Sequence, residues 1–194
     1  MKFYIYKLFT VSFLMLFSKN SFSQNDFTLS QKNICNTAKN ANYLTQNEKE
    51  IILLINLARV YPSDFCSIYV DNLTKHYYDS SYILSLKKEL MNLKPIQPIY
   101  PDSNLFTTAR CWALEAGIQG IKNHQRVNCK YNHRAECIAF YKNKAIDIVI
   151  DLLVDWGVPE LGHRHAILDS YYNKIGVSIQ THKTSDYIAV IDFL

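Results

Sequence analysis

The amino-acid sequence predicts an α+β fold, with helices first along the chain and strands last. Four segments between residues 45 and 157 carry apolar side chains at helical spacing. Two runs rich in isoleucine, valine and tyrosine, residues 174–181 and 187–194, close the chain. Helices and strands do not alternate as in βαβ units, which favours α+β over α/β.

The first helix is predicted from Thr45 onward. Thr45 and Glu48 have the spacing of a capping box, in which a hydroxyl and a carboxylate satisfy free backbone N–H groups. Apolar residues then recur at helical spacing between residues 51 and 58, and Pro62 ends the run. The stretch "YPSDFCSIYVDNL" can restart a helix with Pro62 in its first turn.

Three further helices and a hairpin follow. "SYILSLKKELMNL" is amphipathic, and "KPIQPIYPDS" holds three prolines and is predicted as an extended connector. Asp102 or Ser103 is expected to cap the helix "NLFTTARCWALEAGIQGI". Residues 122–134 are polar and irregular, and "AIDIVIDLLVDWG" is a helix with Gly157 as its expected C-terminal stop. The two β-rich runs are predicted to pair as an antiparallel hairpin.

The N-terminus has the pattern of a secretory signal over residues 1–23. Lys2 and Lys7 precede ten mostly apolar residues, and small residues follow before Gln24. Ten residues span ~15 Å of helix, too short for a bilayer core of roughly 30 Å. We predict cleavage, a polar linker over 24–43, and one domain over 44–194, secreted or periplasmic, with an uncleaved anchor as the alternative.

Charge excludes two classes of partner. The whole chain has a net charge of +4, but the signal carries three lysines and no acids. The mature chain then has 18 basic and 17 acidic side chains, a net charge of +1. We therefore expect no nucleic-acid partner and no anionic membrane surface, and no integral membrane segment after cleavage.

The chain has five cysteines, Cys35, Cys66, Cys111, Cys129 and Cys137. Disulfides persist in exported proteins, but many pairings stay open and one thiol is left over. We favour a bond between Cys129 and Cys137, which lie eight positions apart in a polar, irregular region. No CxxC spacing is present, which argues against a zinc ribbon.

Two histidines and two acids are candidates for chemistry: His124, Glu136, Asp155 and His163. Imidazoles and carboxylates bind divalent metals, and a carboxylate orients a neighbouring imidazole and raises its basicity. Their spacings of 12, 19 and 8 residues lack the compact repeat of HExxH. Capping or surface roles therefore stay open on spacing alone.

Residues 44–194 resemble the CAP superfamily (cysteine-rich secretory, antigen 5 and pathogenesis-related proteins), in its bacterial SCP-domain branch. "LTQNEKEIILLINLARVYPSDF" is similar to the first helix of that branch, with its N-x-x-R-x-x-P at Asn56, Arg59 and Pro62. "LLVDWGVPELGHRHAIL" is similar to its Gly-His-Arg motif and the preceding helix. "IGVSIQTHKTSDYIAVIDF" resembles its closing hairpin.

The resemblance implies a fold and a cleft. The family fold is an α/β/α sandwich with a central antiparallel sheet between helical layers. By the match, His163 is the second family histidine, Glu136 the acid of Gly-Glu-Asn, and Asp155 a position that is often Glu or Asn. His124 matches the first histidine best, with His133 as the competitor.

The chain departs from the family pattern at three positions. Gly-Glu-Asn is here Ala135, Glu136 and Cys137, and the Asn that commonly follows Gly-His-Arg is here Ala166. Loss of the glycine restricts the backbone if that position needs a positive φ. The hypothesis is that Cys137 replaces the lost amide by bonding Cys129.

Two functions compete. The first is a secreted binding or interaction module, whose cleft takes a divalent metal, zinc foremost, or a small, lipid-like ligand. The second is a metal-assisted hydrolase or peptidase that uses the same cleft. No GxSxG motif is present, so we expect binding rather than catalysis. The sequence leaves open which small ligand or protein is bound and the oligomeric state.

Overall fold

The computed structural model of the chain describes residues 26–71, 73 and 81–194. The predicted signal, residues 1–23, lies outside the described residues. The helices are α1 Leu29–Cys35, α2 Gln46–Val60, α3 Pro62–Phe65, α4 Ser81–Asn92, α5 Ser103–Gln119, α6 Ala145–Val154 and α7 Gly162–Leu168, with a π-helix at Cys66–Val70. The strands are β1 Tyr100–Pro101, β2 Ala135–Phe140, β3 Lys174–His182 and β4 Asp186–Phe193.

The strands form one sheet in the order β1-β3-β4-β2. β3 and β4 pair antiparallel as the predicted C-terminal hairpin, and β2 pairs antiparallel with β4. The two-residue β1 pairs parallel with β3 at one edge, so the sheet is mixed there. The predicted α+β class and its hairpin are confirmed.

The sheet lies between two helical layers. Ile138, Ile188 and Val190 share a buried cluster with side chains of α5. Their neighbours in the strands, such as Cys137 and Ile191, belong to a larger cluster with α2, α6 and α7. Because successive strand residues face opposite sides of a sheet, the two clusters are the two interfaces of an α/β/α sandwich.

The predicted capping box of α2 is confirmed and also contacts the sheet. The Thr45 side chain accepts from the Glu48 backbone, and the Glu48 carboxylate accepts the Thr45 N–H. Glu48 is buried, and its Oε1 accepts the Ile179 N–H of β3 at 2.9 Å. One carboxylate therefore starts a helix and joins it to a strand.

Of the linker predicted over 24–43, residues 27–43 instead pack into the domain. α1 begins at a capping box made by Thr28 and Gln31. Apolar side chains of this stretch are buried in the large cluster: Phe27, Cys35, Ala38 and Ala41. They are few among polar residues, and two of them are alanines, which is why the sequence suggested a polar tail.

Two helix ends are refined. Asp102, not Ser103, caps α5, and its Oδ1 accepts the Asn104 and Leu105 N–H groups at 2.9 and 3.1 Å. The predicted stop of α6 at Gly157 is wrong, because α6 ends at Val154 and Asp155 is its C-cap in the left-handed conformation, φ 57° and ψ 44°. Gly157 also has a positive φ, 77°, two residues later.

The predicted disulfide between Cys129 and Cys137 is wrong. Cys129 is bonded to Cys111 of α5, and Cys137 is a buried free thiol. Cys129 packs in the α5 cluster, whereas Cys137 points from β2 into the cluster on the other face of the sheet. The sheet therefore separates the two sulfur atoms.

No single helix among the described residues is long and apolar enough to cross a membrane. By length and composition alone, one bent pair passes that test, Gln46–Val60 with Pro62–Val70, at an angle of 116°.

Candidate functional site

The four predicted residues lie together as two histidine–acid pairs. His124 lies in the irregular segment 121–134 that follows α5, and Glu136 is the second residue of β2. Asp155 ends α6, and His163 lies in the first turn of α7. The ring centroids of His124 and His163 are 6.3 Å apart, with an interplanar angle of 30°. The ring of His133 instead contacts Tyr131.

The first pair joins Asp155 to His163. Asp155 Oδ1 lies 2.7 Å from His163 Nδ1, while Oδ2 accepts the backbone N–H groups of His163 and Arg164 at 2.9 and 3.3 Å. Leu161, at the N-cap position of α7, provides no side-chain cap. The Asp155 carboxylate fills that role from the end of the preceding helix.

The second pair joins Glu136 to His124, with Oε1 2.7 Å from Nδ1. The side chain of Glu136 is 4% exposed and that of His124 is 56% exposed. The Asp155 side chain is 1% exposed and that of His163 22%. In each pair a buried acid therefore contacts an imidazole that is more exposed than the acid, largely so at His124 and partly at His163.

A carboxylate can only accept hydrogen bonds, so it places the hydrogen of a neutral imidazole on the nitrogen it faces. Both acids face Nδ1. Nε2 of His124 and of His163 is therefore left as an acceptor, the form in which imidazole binds metals.

Arg126 lies behind Glu136 and is not among the four predicted residues. Its guanidinium is fully buried and donates to Glu136 Oε2, through Nε at 3.0 Å and through Nη2. Nη2 also donates to Asp192 Oδ1 at 2.6 Å. The signals that could have indicated this network are the acid Asp192 inside the apolar strand "YIAVIDFL" and a basic residue two positions after His124.

The pKa of Glu136 reflects these contacts. Burial raises the pKa of this carboxyl, but the hydrogen bonds from His124 and Arg126 outweigh burial and bring it below its usual value. Glu136 is therefore a carboxylate at neutral pH, as its role of acceptor requires.

A second acidic cluster lies beside the first. His133, Glu136 and Asp192 each place one ligand atom within 4.8 Å of the others, so this set could hold a metal. His133 Nδ1 lies 3.3 Å from Asp192 Oδ1 and has no hydrogen-bonded partner among the described residues. The Arg126 guanidinium, however, already contacts both carboxylates.

Arg164 of the "GHR" motif faces the interior and is fully buried. It donates to the Leu153 and Val154 carbonyls of α6 at 2.6 and 2.9 Å. It also donates to Ser85 and Glu89 of α4. The helix that bears His163 is thereby joined to two others.

Cys137 lies close to the site but is not a nucleophile. Its Sγ is 3.7 Å from the His163 carbonyl oxygen, and the side chain is fully buried. Burial, and then the nearby carboxylates, raise the pKa of this thiol well above its usual value. A thiol held protonated is unreactive.

An apolar cavity of about 670 Å³ opens beside α6. It is lined by residues that include Ile83, Ile146, Ile150 and Trp156, with Lys142 and Asp151 among the polar ones. None of the four predicted residues lines it. The histidine–acid pairs and this apolar cavity are therefore separate.

The comparisons with known proteins agree with the geometry. The family model described as CAP, cysteine-rich secretory protein family, matches residues 54–193. The match begins within α2, ends at the last residue of β4, and includes all four predicted residues. No curated protein matches the chain.

Proposed function

The chain belongs to the cysteine-rich secretory protein (CAP) family, and from that premise we propose that it is an exported binding module. Its cleft, defined by His124 and His163, takes a divalent metal ion, with zinc the best fit. A small ligand or a protein partner would then complete the coordination of the ion. Fold alone does not fix a function, so the proposal depends on the chemistry of the cleft.

The observation that carries the proposal is that the two imidazoles have the same hydrogen-bonding arrangement. Each Nδ1 faces a buried carboxylate, and each Nε2 is left as an acceptor. Carboxylates that orient metal-binding histidines in this way raise their basicity. Glu136 and Asp155 would then orient the ligands rather than bind the ion. Two protein ligands leave coordination positions open, as in sites that exchange a water or a bound molecule.

The cluster of His133, Glu136 and Asp192 is the weaker metal candidate. Arg126 contacts both carboxylates with a buried positive charge. A cation that entered would meet that charge at close range in a site of low dielectric. We therefore place the ion between His124 and His163.

Export is supported by three independent features. The family is described as secretory. Residues 1–23 have the pattern of a signal. The bond between Cys111 and Cys129 is of a kind that persists in oxidising compartments.

Binding has more support than hydrolysis. Cys137 is buried and protonated, and no serine hydroxyl is hydrogen-bonded to His124 or His163 among the described residues. A metal-assisted hydrolase could activate water without a protein nucleophile, and it stays the alternative for the same cleft.

The test is zinc titration of the purified chain by calorimetry, with Co²⁺ absorption as a second readout. We expect one ion per chain at pH ~7.5 and much weaker binding at pH ~5.5, because protons compete with the metal ion for the imidazole nitrogens. The double variant His124→Ala, His163→Ala removes both proposed protein ligands and should abolish zinc binding.

His165→Ala is the matched control, since His165 is an exposed histidine of the same helix α7. It should bind zinc as the wild type does. Unchanged binding in the double variant would reject this ligand pair, and loss of binding in His133→Ala alone would place the ion in the other cluster.

A further inference from the structure

Arg126 contacts Glu136, the acid that orients His124, but does not contact the His124 ring. We propose that it is a positioning residue, which fixes which oxygen of Glu136 faces His124 and so keeps Nε2 of His124 as an acceptor. The inference rests on the proposed function of the cleft and adds to it a residue outside the four predicted ones.

Every N–H group of the Arg126 guanidinium donates a hydrogen bond. Nε and Nη2 donate to Glu136 Oε2, and Nη2 also donates to Asp192 Oδ1. Nη1 donates to the carbonyl oxygens of Thr108 and Lys130, both at 3.1 Å. All five N–H groups of this buried side chain have an acceptor. Because arginine has no acceptor atom, whatever faces it must accept.

The two carboxylate oxygens of Glu136 have different partners. Oε2 is committed to Arg126, which leaves Oε1 for His124 Nδ1 at 2.7 Å. The side chain is nearly inaccessible to water, so water offers no substitute partner. The buried Arg126 therefore orients the Glu136 carboxylate, which in turn orients the exposed His124 ring.

Arg126 also restrains the backbone of the segment that bears His124. The Arg126 backbone N–H donates to Tyr131 Oη at 2.8 Å, and Tyr131 Oη donates to the His124 carbonyl at 3.1 Å. Arg126 also contacts Lys130 within the same segment, Glu136 of β2 and Asp192 of β4. It therefore holds the irregular segment against both strands. The exposed His124 ring thus has a defined position although no helix or strand carries it.

His163 provides an internal reference. It has the same Nδ1–carboxylate contact, but Asp155 is oriented by backbone N–H groups and not by Arg126. A change that acts through Arg126 should therefore alter His124 and leave His163 unchanged.

The decisive variant is Glu136→Gln, which keeps the size and shape of the side chain. If Arg126 fixes the orientation, the amide oxygen must face the guanidinium and the NH₂ group must face His124. Nδ1 must then accept, and the hydrogen moves to Nε2. Long-range ¹H–¹⁵N spectra of metal-free protein at pH ~8.5, where a free imidazole is neutral, report which nitrogen carries the hydrogen.

We expect His124 to change from the Nδ1–H to the Nε2–H form in Glu136→Gln, while His163 keeps Nδ1–H. Zinc affinity should fall about tenfold or more. Retention of Nδ1–H by His124 would show that the amide turns freely and would overturn the inference.

Arg126→Gln is the second variant, and Arg110→Gln, at an exposed site on α5, is its charge-matched control. His124 should lose its fixed Nδ1–H form only in the first. If Arg126→Gln does not fold, Glu136→Gln decides alone.

The spectra need no metal, so the two proposals fail separately. A tautomer change without zinc binding to the wild type rejects the proposed function alone. Zinc binding without the tautomer change rejects the role of Arg126 alone.

Discussion

Asp155 is in a position that usually disfavours an acid. A negative charge at a helix C-terminus opposes the helix dipole, and a non-glycine residue at φ 57° is uncommon. Both costs are offset at the other end of the contact, because the carboxylate accepts the first N–H groups of α7 and orients His163. Asp155 thus ends α6, caps the start of α7 and orients the His163 ring.

Arg59, in the family motif of α2, has a structural role that the structure makes plain. It is buried and donates to four carbonyl oxygens, those of Gln97, Ile167, Asp169 and Tyr172. Burial lowers its pKa to about 10, with Asp169 acting in the opposite direction, so it stays protonated at neutral pH. The contacts fix the end of α7 against α2.

We therefore predict that Arg59→Lys lowers the free energy of unfolding by about 2–4 kcal/mol. An ammonium cannot reach four carbonyls that are arranged around a planar fork, and buried acceptors without a donor are costly. Urea denaturation measures the change. Arg110→Lys, an exposed site, should stay within about 0.5 kcal/mol of the wild type, and equal losses at both sites would contradict the prediction.

The sequence predicted the four residues of the two histidine–acid pairs but not the buried network behind Glu136. His124, Glu136, Asp155 and His163 follow from the family motifs, although motifs do not state how side chains pair. Arg126 has no motif, and its partner Asp192 follows an apolar run. Their contact joins an irregular segment to β4, 66 positions away, and no local pattern encodes such a distance.

Among the elements, the irregular segment 121–134 most needs a restraint. It contains His124 and Arg126 but no helix or strand. The bond between Cys111 and Cys129 ties it to α5 across 18 positions. The restraint lies on the α5 side of the sheet, so it fixes the segment without blocking the cleft-facing imidazole.

We predict that the double variant Cys111→Ser, Cys129→Ser has a free energy of unfolding about 3 kcal/mol lower than that of the wild type. The reason is that a disulfide closing a loop of this size removes entropy from the unfolded chain. Zinc affinity should fall as well, because His124 loses its restraint. Chemical denaturation and zinc titration measure the two effects. The wild type under a reductant that cleaves the bond should match the variant.

Peptide mapping without reduction tests which cysteines are linked. A linked pair of Cys129 and Cys137 would reject the disulfide seen here.

Two elements show where local patterns fail. β2, "AECIAF", holds a single β-branched residue, and its identity as a strand comes from pairing along its whole length with β4. α1 has a capping box but only scattered apolar residues. By contrast, α2 and the hairpin are locally consistent from cap to core, and both are predicted. Ala135, in place of the family glycine, pairs regularly with Phe193, and no positive φ is needed there.

For the whole molecule, the thickness of the sandwich depends on close contact between α5 and β3. A Cβ atom at Gly176 would lie 2.2 Å from the Leu105 backbone carbon, and one at Gly117 would lie 2.2 Å from the Thr181 carbonyl oxygen. Backbone atoms cannot turn aside as a flexible side chain can. These two glycines set the separation of the layers.

We predict that Gly176→Ala destabilises the fold by about 2 kcal/mol or more, because helix and strand must separate. Gly162→Ala is the matched control, since a Cβ there meets nothing within 4 Å, and it should be neutral or slightly stabilising. Thermal unfolding of both variants tests this, and similar melting temperatures for the two would refute it.

The two histidines approach each other from separate parts of the chain, one from the segment tied to α5 and the other from the helix fixed by Arg59 and Arg164. A metal ion bound by both imidazoles would be a reversible cross-link between these two parts of the chain. Metal binding would then raise the force needed to pull the segment that bears His124 away from α7.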